Sequence, residues 1–307
     1  MSNRIIKKLG SKKTIWSCSN HGFTMIELII AMGISTLVVG AIYVLFVAQD
    51  DHYNAQSQVT VMQQNLRAGT AMMESDFRMV GYNPDGAGAT VFALRDITKR
   101  NLAYGLDANG NSSIQFTTDL DEDGVLDDPN EVLTYSLADF PDNDANEQDG
   151  VADLTRSIQS TVVAASPNNN RELIAENIEF LGIAYAFDVD GDGALDTTAA
   201  GNVIWGVDTD NDNRLDVGID TNDDGVVDVN DTAGGSAITG APFNAVANVE
   251  IAYIRSARIW ALSRAKKDDP KFSNTSTYIV ADRQITVADN FRRRLLEFSI
   301  YFRNTGL

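Results

Sequence analysis

The distribution of hydrophobic and polar residues divides the 307-residue chain into three regions. Residues 28–48 contain no charged side chain, and a helix of that length spans roughly 30 Å of hydrocarbon. Polar residues return after residue 48, but apolar residues recur up to residue 80 at intervals of three, four and seven. These intervals predict one stripe on a continuing amphipathic helix. Beyond Pro84, short apolar runs alternate with Asn, Asp and Gly, a pattern that predicts strands and turns.

The helix is predicted to run from Phe23 to Val80, with its transmembrane part at about 28–48, and to stop at Gly81–Pro84. We interpret the stripe on its polar half as the surface that packs against the rest of the chain. Gly33 and Gly40 in the apolar half either let helices approach closely or weaken the helix. The stripe residues are Val59, Met62, Leu66, Met73, Phe77 and Val80.

The part of the chain after Pro84 is predicted to form a mainly antiparallel sheet packed on the lower half of the helix, which is an α+β arrangement. Leu296, Phe298, Ile300 and Phe302 alternate with polar residues, as on a half-buried strand. The predicted strands are Ser113–Thr118, Val132–Leu137, Ile158–Ala164, Ile178–Phe187 and Leu295–Phe302.

A basic segment precedes the apolar run. Residues 1–22 carry five Lys or Arg and no acidic residue, which predicts a cytoplasmic N-terminus. Glu27 lies at the start of the apolar run, where an isolated carboxylate costs about 2.5–3.5 kcal/mol. Cleavage after Gly22 would create a positively charged amine on Phe23, four residues before Glu27. This amine could pair with the Glu27 carboxylate of the same helix or of a neighbouring subunit. The alternative is that Glu27 reaches the membrane interface. In a secretory signal the cleavage site instead follows the apolar run.

The sequence Gly22-Phe23-Thr24-Met25-Ile26-Glu27-Leu28 resembles the prepilin peptidase motif of type IV pilins and of type II secretion pseudopilins. This resemblance implies cleavage between Gly22 and Phe23 and N-methylation of Phe23. It also implies that Glu27 docks each new subunit to the filament. The expected fold is type IV pilin-like, with the long N-terminal helix packed on a β-rich head.

A narrower resemblance concerns the end of the helix and the head. Residues Glu74–Tyr82 are similar to the segment that closes this helix in PilW-type minor pilins, and pseudopilins of the J class share part of it. The segments 176–185, 254–262 and 292–304 also resemble the PilW family. The resemblance implies a minor pilin in the initiating or tip complex of a type IV pilus, a fibre associated with twitching motility and cell adhesion.

The resemblance also implies a domain organisation, a location and partners. Residues 1–22 would be a leader that is removed, 23–82 the pilin helix and 83–307 the head. Before assembly the chain would cross the inner membrane once, with its head in the periplasm; after assembly it would lie in the fibre at the cell surface. The expected partners are prepilin peptidase, the inner-membrane assembly platform, other minor pilins and the major pilin through the N-terminal helix, and a tip adhesin.

Charge and composition narrow the possible chemistry. The net charge is −19, and residues 119–231 hold 29 of the 43 acidic side chains against three Arg, which argues against nucleic acid as a partner and favours cations. Cys18 is the single cysteine and lies in the leader. His21 lies in the leader and His52 on the helix, so the head has no His, no Cys and no nucleophile motif. We therefore predict that the protein is not an enzyme.

The acidic region contains two consecutive loops with calcium-binding spacing, which start at Asp208 and at Asp220. Calcium takes six to eight oxygen ligands, which such loops supply from positions one, three, five, nine and twelve. Gly225, at the sixth position, permits the sharp bend. The predicted ligands in 208–231 are Asp208, Asp210, Asp212, Asp216, Asp220, Asn222, Asp224, Asp228 and Asp231.

Two further loops, at about 119–131 and 188–196, match this spacing but lack an acidic twelfth residue. Their flanks are not helical, so all four loops are closer to the calcium loops of extracellular repeat proteins than to EF-hands. We expect structural Ca²⁺ that holds long loops together without disulfides. The alternative is an acidic, turn-rich surface that binds no ion. The predicted ligands are Asp119, Asp121, Asp123 and Asp127, and Asp188, Asp190, Asp192 and Asp196.

Alternative functions remain open at this point. A type II secretion pseudopilin would share the leader, Glu27 and the helix. A calcium-dependent adhesin or carbohydrate-binding module on a pilin stem would expose aromatic side chains near the loops, such as Trp205, although Trp205 could equally be a packing residue. The basic segment Arg292–Arg294 is either a polyanion-binding patch or a solvated strand end.

Overall fold

The structure is a computed structural model, and it describes residues 22–84, 86, 93–97, 99–100, 111–140, 151–159, 171–231 and 249–305. The chain divides into two compact units, residues 1–54 and residues 55–307. Helix α1, Met25–Phe77, contributes residues to both units. It ends three residues before the predicted Val80, because the chain then turns tightly and Gly81 adopts a φ of +71°.

The first unit is apolar and exposed. An 18-residue window of α1 has a mean hydropathy of 2.4, and none of it is buried within the chain. Phe23 is 90% exposed, and large side chains through Val47 are exposed as well. The predicted transmembrane span therefore coincides with a helix that is long and apolar enough to cross a membrane, by length and composition.

The α1 residues of the second unit bury the predicted stripe. Val80, just beyond the helix, is fully buried, and Val59 is partly buried. Gly69 also lies on the stripe, and a Cβ there would be 3.0 Å from Leu154 Cδ2. The buried helical residues are Met62, Leu66, Gly69, Met73 and Phe77. The interpretation of the Met-rich stripe as a packing surface is confirmed.

The strands are short and pair in antiparallel fashion. In chain order they are β1 (Leu94–Asp96), β2 (Lys99–Arg100), β3 (Asn111–Ser112), β4 (Ile114–Thr117), β5 (Val132–Ala138), β6 (Asp153–Gln159), β7 (Arg171–Ala175), β8 (Ile178–Phe187), β9 (Gly206–Val207), β10 (Arg214–Leu215), β11 (Val217–Gly218), β12 (Val249–Glu250), β13 (Ile254–Arg264), β14 (Thr277–Val280), β15 (Arg283–Thr286) and β16 (Arg293–Tyr301).

Two five-stranded sheets dominate the second unit. Sheet 1 has the order β1-β4-β5-β6-β7, and sheet 2 has the order β11-β9-β8-β13-β16. The remaining strands form the pairs β2-β3, β10-β12 and β14-β15. Every pairing among the described strands is antiparallel. The predicted α+β fold, with a long N-terminal helix and mainly antiparallel sheets, is therefore confirmed.

Each predicted strand overlaps an observed one. Ile178–Phe187 is strand β8 as predicted, and 295–301 of the final predicted strand belongs to β16. The segment predicted at 158–164 overlaps the end of β6, and its residues 160–164 lie outside the described residues. Strand β13 was not predicted, although it is the centre of sheet 2 between β8 and β16.

The main core joins α1 to both sheets. The fully buried ring of Phe77 makes edge contacts with Phe116 on β4, Tyr135 on β5 and Phe302 after β16, at ring-centre distances of 5.4, 5.4 and 6.2 Å. Asp76 in the same helical turn accepts a hydrogen bond from the Tyr135 hydroxyl at 2.6 Å. Packing and polar contacts thus attach the end of α1 to the head.

Sheet 2 is buried on both faces. On β13, Ile259 and Ala261 belong to the main core, whereas Trp260 and Leu262 belong to a second cluster with Val280 of β14. Alternate residues of a strand point to opposite faces, so β13 contributes to two cores. Three of the aspartate loops follow strands β8, β9 and β11 of this sheet, and the loop at 119–131 connects β4 to β5 in sheet 1.

Candidate functional site

The N-terminal motif lies at the start of α1. Gly22 and Phe23 precede the helix in irregular, exposed backbone. The backbone N–H and the hydroxyl of Thr24 donate to Glu27 Oε2, each at 2.8 Å, and the Glu27 N–H donates to Thr24 Oγ1 at 3.3 Å. This reciprocal arrangement is a capping box, with Thr24 as the N-cap. It starts the helix directly after the predicted cleavage site.

The predicted partner of Glu27 is the amine of Phe23, which exists in the cleaved chain. In the uncleaved chain Thr24 supplies the hydrogen bonds to the Glu27 carboxylate instead. Pairing with the amine, N-methylation of Phe23 and subunit docking by Glu27 remain predictions. The leader predicted at 1–22 lies outside the described residues up to residue 21, including Cys18 and His21.

The four aspartate loops share one backbone conformation. In each loop the fourth and sixth residues have positive φ, between +58° and +86°. The sixth residue is Gly in three loops, and in the loop that starts at Asp208 it is Asn213. Gly and Asn adopt this region most readily. The residues concerned are Glu122 and Gly124, Gly191 and Gly193, Asn211 and Asn213, and Asp223 and Gly225.

The same hydrogen bonds recur within these loops. The carboxylate at position one accepts the N–H of position six, at 2.7 to 3.2 Å, in all four loops. The side chain at position three accepts the N–H of position five, and the side chain at position five accepts that of position seven. The first, third and fifth side chains therefore fold inward over the same turn in every loop.

Three of the loops bring carboxylates together. One oxygen from each of three residues lies within 4.8 Å of the others in each set. The sets are Asp119, Asp121 and Asp123; Asp188, Asp190 and Asp196; and Asp208, Asp210 and Asp216. Such spacing suits a divalent cation with oxygen ligands. The other predicted ligands of these loops, Asp127, Asp192 and Asp212, do not join the sets.

The loop that starts at Asp220 is arranged differently. Among the described residues, its carboxylates form no such triad. Asp231 closes this loop by accepting the N–H of Thr221 at 2.7 Å and that of Asp228 at 2.8 Å. Asp223 accepts hydrogen bonds from Thr198 and Asn202, which belong to the segment after the 188–196 loop. The two loops therefore support each other.

Burial and mutual repulsion affect the carboxyl groups of these loops. Burial raises the pKa of Asp208 above its ordinary value, and the charges of Asp216 and Asp212 raise it further. Burial likewise raises the pKa of Asp196, with contributions from Asp190 and Asp188. Grouped carboxylates with raised pKa values are stabilised by a cation.

One acidic residue of this region was missed by the spacing argument. Glu131 is the thirteenth and last residue of the loop at 119–131, one position beyond the twelve-residue calcium-loop spacing. Its side chain has no exposed surface. Burial raises the pKa of its carboxyl group. An acidic residue directly before an apolar strand was the available sequence signal.

Two other candidates are structural. Trp205 is partly buried against the second core of sheet 2, with the Arg258 guanidinium 5.6 Å from its ring centre, so it is a packing residue. Arg292 pairs with Asp269 at 2.8 Å, and Arg293 is 3% exposed and pairs with Glu179. The segment Arg292–Arg294 is therefore not an open basic patch.

Comparisons with known proteins agree with the N-terminal motif. Residues 18–43 match the family model of the prokaryotic N-terminal methylation motif. No curated protein matches the chain. Among solved structures, the type IV-like pilin TTHA1219 from Thermus thermophilus matches with a TM-score of 0.38 and 11% identity, over 80% of this chain and 98% of that chain.

The chain thus carries a prokaryotic N-terminal methylation motif at the start of one long helix, and this helix, whose first part is apolar, is followed by antiparallel sheets. The motif and the apolar helix indicate that the chain is anchored in a membrane.

Proposed function

We propose that this protein is a PilW-like minor pilin that is cleaved between Gly22 and Phe23, methylated on Phe23 and assembled into a type IV pilus. The main support is the exposed Gly22–Phe23 junction directly before a helix that is capped by Thr24 and Glu27 and whose first part is apolar on all sides. A helix with exposed apolar side chains needs a membrane or neighbouring helices around it.

The proposed role is assembly, in the initiating or tip complex. The first unit would enter the bundle of N-terminal helices formed with the major pilin and other minor pilins, and Glu27 would pair with the Phe23 amine of the subunit that it docks. The head, which faces the periplasm before assembly, would contact other minor pilins and a tip adhesin. The PilW-like segments at the end of α1 and in the head support this choice.

A type II secretion pseudopilin is the second candidate, because the motif and the apolar helix are common to both systems. The two candidates differ in the filament that contains the chain. Mass spectrometry of sheared pili distinguishes them: a minor pilin is present at a low ratio to the major pilin, and a pseudopilin is absent.

Processing is tested by the mass of the membrane-bound chain. In cells with prepilin peptidase, we expect the mass to fall by residues 1–22 and to rise by one methyl group. Gly22→Val should block this change, because the residue before the cut would no longer match the motif. Gly10→Val, a matched change inside the leader, should be processed normally. If the chain has the same mass in a peptidase-null strain as in wild type, the proposal is wrong.

We further propose that structural Ca²⁺ stabilises the head through the aspartate loops. Four loops with the same turn and the same hydrogen bonds, three of them with carboxylate oxygens within 4.8 Å, support this proposal. Oxygen ligands at alternate positions and a flexible loop suit Ca²⁺ better than Mg²⁺, which requires near-ideal octahedral geometry.

A further inference from the structure

The loop at 119–131 differs from the other three in its position in the fold. It connects β4 to β5 in sheet 1, and it contacts the segment in which the chain leaves α1. The Asp119 N–H donates to the Tyr82 carbonyl at 2.9 Å, and the Tyr82 hydroxyl donates to Glu122 Oε1 at 3.0 Å. Just before the loop, Thr117 O accepts the Gly81 N–H at 3.1 Å. Hydrogen bonds therefore connect this loop and the end of β4 to the residues that follow α1.

Each of the four loops is closed by a carboxylate that accepts backbone N–H groups of its own loop. Asp196, Asp216 and Asp231 accept from the second residue, Val189, Thr209 and Thr221, and Glu131 accepts from Asp127 and Asp128. In two loops this closing carboxylate, Asp196 or Asp216, belongs to the set of oxygens within 4.8 Å. Glu131 occupies the equivalent place in the loop at 119–131, although it is the thirteenth residue rather than the ninth.

Two carboxylate oxygens in this loop are buried without a hydrogen-bond partner in the described structure. Asp119 and Glu131 have no exposed surface, and Asp119 Oδ1 and Glu131 Oε1 receive no hydrogen bond. Their other oxygens do accept backbone N–H groups, Asp119 Oδ2 from Gly124 and Glu131 Oε2 from Asp127 and Asp128. A buried, unpartnered carboxylate oxygen is costly and requires a specific cause.

The sequence supplies no cation for these oxygens within the loop. Residues 119–131 contain seven acidic side chains and no Lys or Arg. The carboxylate of Asp119 lies within 4.8 Å of those of Asp121 and Asp123. A divalent cation would satisfy the buried oxygens and neutralise the three grouped carboxylates at the same time.

We propose that the loop at 119–131 binds one Ca²⁺ ion through Asp119, Asp121, Asp123 and Glu131, and that this ion holds the end of α1 against sheet 1. The inference rests on the proposed calcium-stabilised head and deepens it: it identifies Glu131 as a ligand and gives this one ion a specific mechanical role. Glu131 would supply its unpartnered Oε1 to the ion, while Oε2 keeps its hydrogen bonds to the backbone. Asp127, the predicted ninth-position ligand, acts here through its backbone N–H to Glu131.

The test is calcium stoichiometry of the full-length, detergent-solubilised protein, measured by equilibrium dialysis with Ca²⁺ alone at up to about 5 mM, above the Kd of typical extracellular calcium modules. Glu131→Gln keeps the shape of the side chain and removes its charge. We expect this variant to bind one Ca²⁺ fewer than wild type. Glu172→Gln, the same change at an exposed position on β7 outside the aspartate loops, is the matched control and should keep the wild-type number.

A second measurement follows the end of α1. Hydrogen exchange of the Gly81 and Asp119 amides should slow at least threefold when Ca²⁺ is added to wild type, and should not respond in Glu131→Gln. Asp119→Asn provides an independent variant with the same expectation. Melting in chelator shows whether each variant folds. Glu131→Gln should melt there no lower than wild type, because its amide oxygen can still accept the Asp127 and Asp128 N–H groups and a buried charge is removed.

The outcomes separate this inference from the general calcium proposal. If wild type binds no Ca²⁺, both are wrong. If wild type binds Ca²⁺ and Glu131→Gln and Asp119→Asn bind the same number with the same affinity, this inference alone is wrong. Loss of one ion without any change in exchange at Gly81 and Asp119 would overturn the mechanical role.

Discussion

At the scale of single residues, Arg293 lies in the basic segment Arg292–Arg294, but its side chain is buried and paired with acidic side chains. Its side chain is 3% exposed, and its guanidinium donates to Glu179 Oε2 at 2.6 Å and to both oxygens of Asp289 at 2.7 Å. Glu179 lies on β8 and Arg293 on β16, the two strands that flank β13. The side chain therefore joins β16 to β8, the two strands on either side of β13, and charge-assisted bonds of this kind are stronger than neutral ones.

This bridge predicts a pH dependence. The hydrogen bonds from Arg293 lower the pKa of the Asp289 carboxyl below its ordinary value. The carboxylate therefore contributes stability above the unfolded-state pKa of about 3.9, and this stability is lost as pH falls through the lower folded-state value. Asp289→Asn should lower the free energy of unfolding at pH 7 by about 1 kcal/mol, since the group is partly exposed, and should flatten the decline below pH 4.

Thermal melts monitored by circular dichroism between pH 7 and pH 3 would measure both effects. Asp268→Asn, an exposed change in a neighbouring loop, is the control and should follow wild type. If the stability of Asp289→Asn falls below pH 4 as steeply as that of wild type, the Arg293–Asp289 pair is not responsible for the pH dependence.

At the scale of elements, the β14–β15 hairpin covers one face of sheet 2 by close backbone approach. A Cβ added to Gly182 on β8 would lie 2.8 Å from Ala281 Cβ and 2.9 Å from the Val280 carbonyl carbon. Arg283 reinforces this contact, because its guanidinium donates to the Leu181 carbonyl at 3.1 Å. Glycine in the middle of a strand is thus required here by packing rather than by its own backbone angles.

Gly182→Ala should therefore separate the hairpin from the sheet. We expect a loss of about 1–3 kcal/mol in the free energy of unfolding, because the neighbouring atoms are backbone and short side chains that cannot turn away. Denaturant titration of the full-length chain would measure this loss. Gly40→Ala, where a Cβ would meet nothing within 4 Å, is the control and should leave the head unchanged. Equal stability of the two variants would contradict the close approach.

At the scale of the whole molecule, the acidic loops govern the charge balance. Three of the four loops follow one another between β8 and β12, and the chain has one cysteine and a net charge of −19. These segments contain strands of two residues, β9, β10 and β11, so regular backbone pairing contributes little to them. Ions that bind the folded state selectively would stabilise the head by mass action.

Calcium should therefore raise the melting temperature of the full-length chain after chelation. One site at a concentration of 100 times its Kd contributes about 2.7 kcal/mol. Sodium chloride at matched ionic strength is the control, because it screens the charge of −19 without filling a site. Magnesium should raise the melting temperature less than calcium does, since it requires near-ideal octahedral geometry that flexible loops supply poorly. Equal shifts in Ca²⁺ and in NaCl would mean that screening alone is responsible.

Local patterns in the sequence determined much of this protein. The basic leader, the Gly22–Phe23 junction and the apolar run are contiguous, so the motif and the helix follow from neighbouring residues. The buried stripe on α1 also follows, because helical periodicity repeats every three or four residues. The aspartate loops could be located for the same reason, because their oxygen-bearing side chains alternate within a few consecutive residues.

Contacts between distant segments were decided by the tertiary structure alone. Burial of both faces of β13, packing against Gly182 and the pairing of Arg293 each join elements far apart in the chain. The closing carboxylates show the same limit within a loop, because they lie at position nine, twelve or thirteen according to where the next strand begins. Position in sequence therefore indicated which side chains could bind a cation, whereas the antiparallel pairing of β4 with β5 brings Glu131 back beside the start of its loop.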